Sequence, residues 1–277
     1  MKRYCIYLLP LLLFEACQPS EPQSQAQQTE SPVITAENHD EAMNQMFDTP
    51  THQIRRIGIL VYDGCNSLDV LGPRYVLGQI MGAKIQLVSL TPGNIKTVMG
   101  IEIVPDAIID SVSQLDILVI PGGFRGTILG AYDDKLHEWI RMIDQNSVYT
   151  ASVCTGCWIL GATGLLKGKK ATTNWYRAEE KLARYGASFV QERYVQDGKY
   201  WTSAGVTAGM DMSLAMVKDI MGEDYGQAVM LDMEYDPAPP FEGGSPAKTK
   251  AEVFQMMQAM YDMGVQPIVD SLENRVD

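Results

Sequence analysis

Ser147-Val148-Tyr149-Thr150-Ala151-Ser152-Val153-Cys154-Thr155-Gly156 is the stretch of sequence that decides the fold. Residues 147–153 predict a strand, and residues 155–163 predict a helix that follows it directly. Such a turn exposes its side chain, and the first helical N–H groups form an anion site and favour a thiolate. Cys154 is therefore a candidate nucleophile, although free cysteines are also often buried structural residues.

Apolar runs and helical stripes alternate on both sides of this turn. Alternation over this length predicts an α/β domain, residues 55–246, with a mostly parallel sheet covered by helices on both faces. Strands are predicted at residues 57–62, 84–90, 116–120 and 147–153 and near 171, 189, 194 and 200, and helices at 69–81, 136–143, 155–163, 175–185, 206–221 and 225–234.

Three sequence features follow predicted strand ends, where reactive groups of such sheets gather. They are Cys154, the pair Gly122-Gly123, and Asp69. Glycines let backbone N–H groups approach a ligand, so Gly123 is a candidate oxyanion donor. Asp69 either caps its helix or supplies a carboxylic acid whose pKa is raised by burial.

Charge and histidine content exclude several classes of protein. The formal net charge is −12 and no basic stripe is present, which argues against a nucleic-acid partner. No His/Cys/carboxylate cluster has the spacing of a metal site. His39 and His52 lie in or beside the N-terminal segment, and His137 is expected at the exposed start of a helix. A cysteine–histidine mechanism is thus disfavoured, and Asp69 is the expected partner of Cys154.

The N-terminal region predicts export. Residues 1–17 combine Lys2 and Arg3 with an apolar run too short for a membrane span, as in a signal peptide. Ala16-Cys17 indicates a lipoprotein cleavage site with acylation of Cys17, and ordinary cleavage nearby is the alternative. Residues 18–54, rich in Gln, Glu, Ser and Pro, predict a disordered tether. We expect a membrane-anchored lipoprotein of the periplasm or cell surface that touches the membrane only through its lipid.

The C-terminal residues 247–277 predict a helical extension, with helices at 248–263 and 267–272. Val253, Met256, Met257 and Met260 share one face of the first helix. A methionine stripe at this spacing is more often packing than a cofactor site. It indicates a helix that covers the core or forms a dimer.

Motifs along residues 55–246 together resemble the ThiJ/PfpI superfamily, and within it the isonitrile hydratase-like branch. The resemblance implies a flavodoxin-like, class I glutamine amidotransferase-like fold with a nucleophile elbow at Cys154. The motifs are Asp63-Gly64, Leu68-Asp69-Val70-Leu71-Gly72-Pro73, Val119-Ile120-Pro121-Gly122-Gly123, Val153-Cys154-Thr155-Gly156, Leu160-Gly161-Ala162-Thr163-Gly164-Leu165-Leu166-Lys167-Gly168, Ala171-Thr172-Thr173, Thr202-Ser203-Ala204-Gly205-Val206, Gly209-Met210-Asp211, Glu234-Tyr235-Asp236-Pro237-Ala238-Pro239-Pro240-Phe241 and Gly244-Ser245-Pro246.

The resemblance also implies a chemistry. Cys154 would be the nucleophile, Asp69 the acid, and Thr155 a supporting residue. Isonitrile hydratases convert R–N≡C into an N-substituted formamide without metal or organic cofactor, here through a Cys154 thioimidate. The expected partners are a small electrophilic substrate and a second copy of the chain in a homodimer.

Oxyanion or substrate-binding roles are expected for Gly122, Gly123, Asn174 and Ser203. Asn174 departs from the superfamily pattern, which often has histidine after Ala-Thr-Thr. Asparagine cannot transfer protons, so a mechanism that relies on that histidine is not represented in this chain.

Two alternative functions stay open. Cys154-Thr155-Gly156-Cys157 at a helix start is typical of dithiol redox proteins, and Cys157 is not part of the superfamily pattern. Domains of this superfamily also serve as ligand sensors fused to AraC-type DNA-binding regions. No helix-turn-helix pattern follows Pro246, so the second alternative is a catalytically inactive, lipid-tethered small-molecule binder.

Overall fold

The computed structural model describes residues 34–35 and 37–273. The chain divides into two compact units, Met1–Met43 and Asn44–Asp277, and all eleven strands of the described part lie in the second, larger unit. The predicted signal segment 1–17, its lipidation site Cys17 and residues 18–33 of the predicted tether lie outside the described residues. In the described part, no helix combines the length and the apolarity that a membrane span requires.

Eleven strands and nine α-helices occur in the described part of the chain. The strands are β1 (Arg56–Val61), β2 (Lys84–Ser89), β3 (Ile95–Lys96), β4 (Glu102–Ile103), β5 (Ala107–Ile108), β6 (Ile117–Ile120), β7 (Tyr149–Val153), β8 (Lys170–Ala171), β9 (Ser188–Phe189), β10 (Tyr194–Asp197) and β11 (Tyr200–Ser203). The helices are α1 (His39–Met46), α2 (Ser67–Leu77), α3 (Arg125–Gly130), α4 (Asp134–Asp144), α5 (Gly156–Ala162), α6 (Ala178–Arg184), α7 (Ala208–Met221), α8 (Glu223–Asp232) and α9 (Ala251–Glu273).

Seven of the strands form one sheet in the order β10-β11-β7-β6-β1-β2-β5. All neighbours in it are parallel except β10 and β11. Every residue of β6 and β7 is buried. Burial on both faces explains why β6 is a continuous apolar run, whereas β7 also contains the buried polar residues Thr150 and Ser152. The predicted α/β fold, a mostly parallel sheet flanked by helices, is confirmed.

The register of the central strands places the candidate residues at one edge of the sheet. Ile120, the last residue of β6, pairs with Ser152 of β7. Val153, the last residue of β7, pairs with Ser203 of β11. Parallel strands in register end together, so the segments that follow β6, β7 and β11 all emerge at the same carboxyl edge.

The C-terminal helix differs from its prediction. Helix α9 is a single helix of 23 residues that continues through Pro267, where two helices were expected. Val265 and Val269 lie on either side of Pro267 and are both buried, so packing holds the helix together where proline removes a hydrogen bond. The predicted methionine stripe does not cover the core, because Met256 and Met260 are 56% and 51% exposed.

His137 is buried, not exposed as the sequence suggested. Helix α4 begins at Asp134, and the Asp133 side chain caps it by accepting a hydrogen bond from Leu136 N. His137 is thus within the first helical turn and faces inward, with Nε2 2.9 Å from the carbonyl oxygen of Gly130.

The predicted tether 18–54 extends too far toward the domain. Residues 44–54 are part of the larger unit, and contacts of Phe47, Thr51 and Ile54 hold this segment there. Phe47 contacts Tyr225 edge to face with ring centroids 5.1 Å apart, and Thr51 N donates to the carbonyl oxygen of Ile220 at 2.8 Å. Ile54 is 4% exposed.

Candidate active site

Cys154 occupies a strained turn between β7 and α5. Its φ is +58°, a left-handed conformation that costs a non-glycine residue about 1–2 kcal/mol. The backbone holds this conformation, since Cys154 N donates to the carbonyl oxygen of Ser203 at 3.0 Å. Gly156 allows the start of α5 to pack closely against the end of β6, because a Cβ at this position would lie 2.2 Å from the carbonyl oxygen of Ile120. The predicted nucleophile elbow is present.

Asp69 is a fully buried carboxyl group in the first turn of α2. It is not the N-cap of that helix, because Asn66 fills this role by accepting from Leu68 N at 3.0 Å. Oδ2 of Asp69 accepts from Gly122 N at 3.0 Å. Oδ1 has no partner of normal hydrogen-bond geometry among the described residues. A buried carboxyl oxygen without such a partner is available for proton exchange.

Burial sets the protonation state of both groups. It raises the pKa of Asp69 to about 7, against the opposing effects of Gly122 N–H and the Cys154 side chain. Burial and the charge of Asp69 raise the pKa of Cys154 to about 12, although Asn174 and Thr155 lower it. The expected helix-induced thiolate is therefore wrong: desolvation outweighs the short helix, and Cys154 is a thiol at neutral pH.

The backbone N–H groups of the two glycines after β6 bind side chains of the site. Gly122 N binds Asp69, and Gly123 N donates to Thr155 Oγ1 at 3.0 Å. Thr155 Oγ1 in turn donates to the carbonyl oxygen of Gly123 at 2.9 Å. Both glycine N–H groups are thus engaged within the protein. Gly122 and Gly123 position Asp69 and Thr155, in contrast to the free oxyanion donors expected from the sequence.

Asn174 lies against the thiol, with Nδ2 3.4 Å from Cys154 Sγ. Its Oδ1 accepts from Tyr176 N at 3.0 Å, which fixes the orientation of the amide. Thr173, which the sequence reasoning missed, donates from its hydroxyl to the carbonyl oxygen of Cys154 at 2.9 Å. The structure therefore brings Asn174 to the reacting sulfur.

Ser203 is close to the elbow but acts through its backbone. It is fully buried, and its hydroxyl donates to the carbonyl oxygen of Ser152 at 3.4 Å. Gly205 also borders the thiol, because a Cβ there would lie 3.7 Å from Cys154 Sγ and 3.6 Å from Asn174 Nδ2. Gly205 belongs to the motif Thr202-Ser203-Ala204-Gly205-Val206, but the sequence indicates no role for it in the site.

The histidines of the larger unit lie away from the thiol. His52 packs against Tyr149, at the opposite end of β7 from Cys154, with ring centroids 5.8 Å apart. His137 is engaged with Gly130. The described residues contain no group of three or more His, Cys, Asp or Glu side chains arranged to hold a metal ion.

The sequence profile of the DJ-1/PfpI family matches residues 55–219. The chain belongs to this family. It is 38% identical over 193 residues to an isonitrile hydratase of Pseudomonas putida, a match that covers 69% of this chain and 83% of the relative. It is 27% identical over 151 residues to a deglycase of Thermococcus kodakarensis, covering 54% of this chain and 89% of the deglycase.

A solved structure has the same architecture. A ThiJ/PfpI family protein from Pseudomonas syringae superposes with a TM-score of 0.77 at 33% identity, covering 88% of this chain and 98% of its own. The matched family segment 55–219 contains Asp69, Cys154 and Asn174, whereas helix α9 lies beyond it.

Cys157, three residues after the elbow, is a separate buried thiol. Cys154 and Cys157 are both free, and Cys157 is fully buried. Burial raises the pKa of Cys157 to about 12, while Ser152 and Thr173 lower it by hydrogen bonding. The Cys157 thiol is thus enclosed in surroundings that disfavour a thiolate.

Proposed function

We propose that this member of the DJ-1/PfpI family is a cysteine-dependent hydratase that converts an isonitrile into an N-substituted formamide. The observation that carries the proposal is the buried Asp69 carboxyl, with a pKa near 7, beside a Cys154 thiol that is protonated. A carboxyl group with this pKa can act as general base and then general acid for the thiol near neutral pH, without an imidazole. The similarity to an isonitrile hydratase supports the choice of substrate.

In the first step the isonitrile carbon receives both a proton and the sulfur. Ionised Asp69 accepts the thiol proton, and the vacant Oδ1 is the oxygen available for it. Asp69 then delivers that proton to the isonitrile carbon, which carries a lone pair, while Cys154 Sγ forms the C–S bond. The product is the thioimidate R–N=CH–S–Cys154, and Asp69 is again ionised.

In the second step water releases the product. Water adds across the C=N bond: its oxygen bonds to the thioimidate carbon and one of its protons goes to the nitrogen, giving R–NH–CH(OH)–S–Cys154. The C–S bond then breaks as the hydroxyl proton returns to sulfur by way of Asp69. The formamide R–NH–CHO leaves, and the thiol and carboxylate are restored. Asn174, 3.4 Å from the sulfur, donates to it as charge develops on bond cleavage.

The test is formamide production from cyclohexyl isonitrile, followed by liquid chromatography and mass spectrometry. Wild type should form the formamide, and Cys154→Ala and Asp69→Asn should each reduce the rate at least ~1000-fold. Cys157→Ala is the matched control, because it removes a neighbouring thiol that the mechanism does not use, and it should retain activity. Turnover that survives Cys154→Ala would contradict the mechanism.

The same experiment separates the two alternative functions. A dithiol redox protein would require Cys157, and the full burial of this thiol, which raises its pKa to about 12, counts against that role. A small-molecule binder would retain isonitrile without releasing formamide.

A further inference from the structure

Three half-buried aromatic side chains lie together beside the candidate active site: Phe124, Trp175 and Tyr261. We refer to them as the aromatic rim. The Tyr261 ring lies 5.0 Å from the Trp175 ring and 5.8 Å from the Phe124 ring, centroid to centroid. Tyr261 is thus the central member, and it comes from helix α9, outside the matched family segment.

Each member of the aromatic rim is connected to the site. Phe124 directly follows Gly123, which binds Thr155, and Trp175 directly follows Asn174, which binds Cys154. Tyr261 is on helix α9 and packs against the rings of Phe124 and Trp175. Burial raises the pKa of its phenol, Cys154 and Asp69 raise it further, and hydrogen bonding with the Asn174 side chain lowers it. Tyr261 is thus near enough to both reacting groups to feel their charge, as its ring contact with Trp175, the residue after Asn174, also indicates.

Close packing fixes α9 in this place. A Cβ on Gly264 would lie 2.4 Å from the Phe124 ring, so the helix backbone rests directly on that side chain. Val265 and Val269 are buried in a core cluster with Trp158 and Tyr176. The aromatic rim is thus built on a packed interface, yet its own rings stay half-buried.

We propose that the aromatic rim binds the apolar substituent of the substrate, and that Tyr261 makes the site selective for bulky aryl or alkyl groups. The inference rests on the proposed function. An isonitrile is linear at nitrogen, so a carbon placed at buried Cys154 sends its substituent outward toward the half-buried rings. Burial of an apolar group against aromatic faces is favourable and increases with its area.

The test compares kcat/KM for benzyl isonitrile and methyl isonitrile. In Tyr261→Ala the benzyl-to-methyl ratio should fall at least ~10-fold, because the ring contact is lost. Tyr261→Phe keeps the ring and should retain the wild-type ratio. Met256→Ala, on the exposed face of the same helix, is the matched control and should also retain it. An unchanged ratio in folded Tyr261→Ala would overturn the proposal.

A second measurement does not depend on turnover. Cys154 is labelled with N-phenylmaleimide or N-methylmaleimide, and intact mass gives the ratio of rates, with Cys154→Ala defining the site. The phenyl preference of wild type should fall in Tyr261→Ala and in Trp175→Leu. The leucine variant keeps an apolar side chain at its position, so it serves as the test if Tyr261→Ala does not fold. A protein that hydrates no isonitrile but shows this fall would refute the proposed function and leave the aromatic rim supported. If the ratio of phenyl to methyl labelling rates is the same in wild type and in every folded variant, the proposed role of the aromatic rim is refuted.

Discussion

At the residue scale, the pKa values of Asp69 and Cys154 make the rate depend on pH. Asp69 must be ionised to accept the thiol proton, and its pKa is raised to about 7 by burial. We predict that kcat/KM for formamide formation rises with pH through about 7 and then levels off. The pH dependence of kcat/KM is measured from initial rates on both sides of pH 7, in mixed buffers of constant ionic strength. A profile that is flat through neutrality, or falls, would contradict the role of Asp69.

The same carboxyl should destabilise the folded protein at alkaline pH. Its pKa is 3.8 in an ordinary setting and about 7 here, because burial disfavours the ionised form. Below pH 3.8 the carboxyl is protonated in both the folded and the unfolded state, so it does not reduce the free energy of unfolding. The cost grows as pH rises toward 7 and is complete above it. Asp69→Asn keeps an acceptor for Gly122 N–H but carries no charge, so we predict a stability gain.

Urea unfolding measures that gain. The advantage of Asp69→Asn over wild type should be larger at pH ~8 than at pH ~5 by about 2 kcal/mol. An advantage that is equal at both pH values would mean that Asp69 is not a buried, ionisable group.

At the element scale, the turn after β6 is shaped for the site and tolerates no side chain. A Cβ on Gly122 would lie 2.7 Å from both N and Oγ1 of Thr155 and 2.9 Å from Asp69 Oδ2. We predict that Gly122→Ala lowers kcat/KM at least ~100-fold, because misplacement of catalytic groups by about 1 Å has that effect.

Gly243→Ala is the matched control, since a Cβ there meets nothing within 4 Å. It should keep the wild-type rate. Thermal unfolding of both variants, followed by circular dichroism, separates displacement of the site from loss of the fold. Full activity in Gly122→Ala would show that this turn does not position Asp69 and Thr155.

The elements that could be predicted from the sequence are those whose burial leaves a pattern. Strands β1 and β6 are apolar on both faces, so their runs of β-branched residues are readable. Helix α3 has six residues, and strands β3 and β4 have two each, which is too short for a periodic signal. The continuous α9 was missed because local rules end a helix before proline, whereas tertiary packing maintains it.

The candidate site was readable only in part. Cys154 and Asp69 follow strand ends, so the parallel sheet predicts that they converge. Tyr261 contacts Trp175 from 86 residues further along the chain, and no local motif indicates such a contact. The protonated state of Cys154 was also mispredicted, because desolvation depends on how completely the surrounding segments enclose the sulfur.

At the scale of the whole molecule, membrane anchoring through Cys17 stays a prediction. We expect the processed protein to sediment with membranes and to incorporate radiolabelled palmitate, and Cys17→Ser to abolish both. Cys5→Ser, within the same predicted signal segment, is the control and should change neither. Palmitate incorporation that persists in Cys17→Ser would contradict the lipoprotein assignment. The homodimer implied by the family resemblance also stays a prediction.

The most direct test of the central claim is the mass of the intact protein during turnover. Wild-type protein is mixed with cyclohexyl isonitrile, quenched in acid within the first turnover, and examined by mass spectrometry. We predict a transient adduct on Cys154 whose added mass equals one complete isonitrile, because the thiol proton moves to the isonitrile carbon in the thioimidate. The adduct should be absent in Cys154→Ala. Formamide released at the wild-type rate with no adduct on Cys154 at any time would contradict the covalent mechanism.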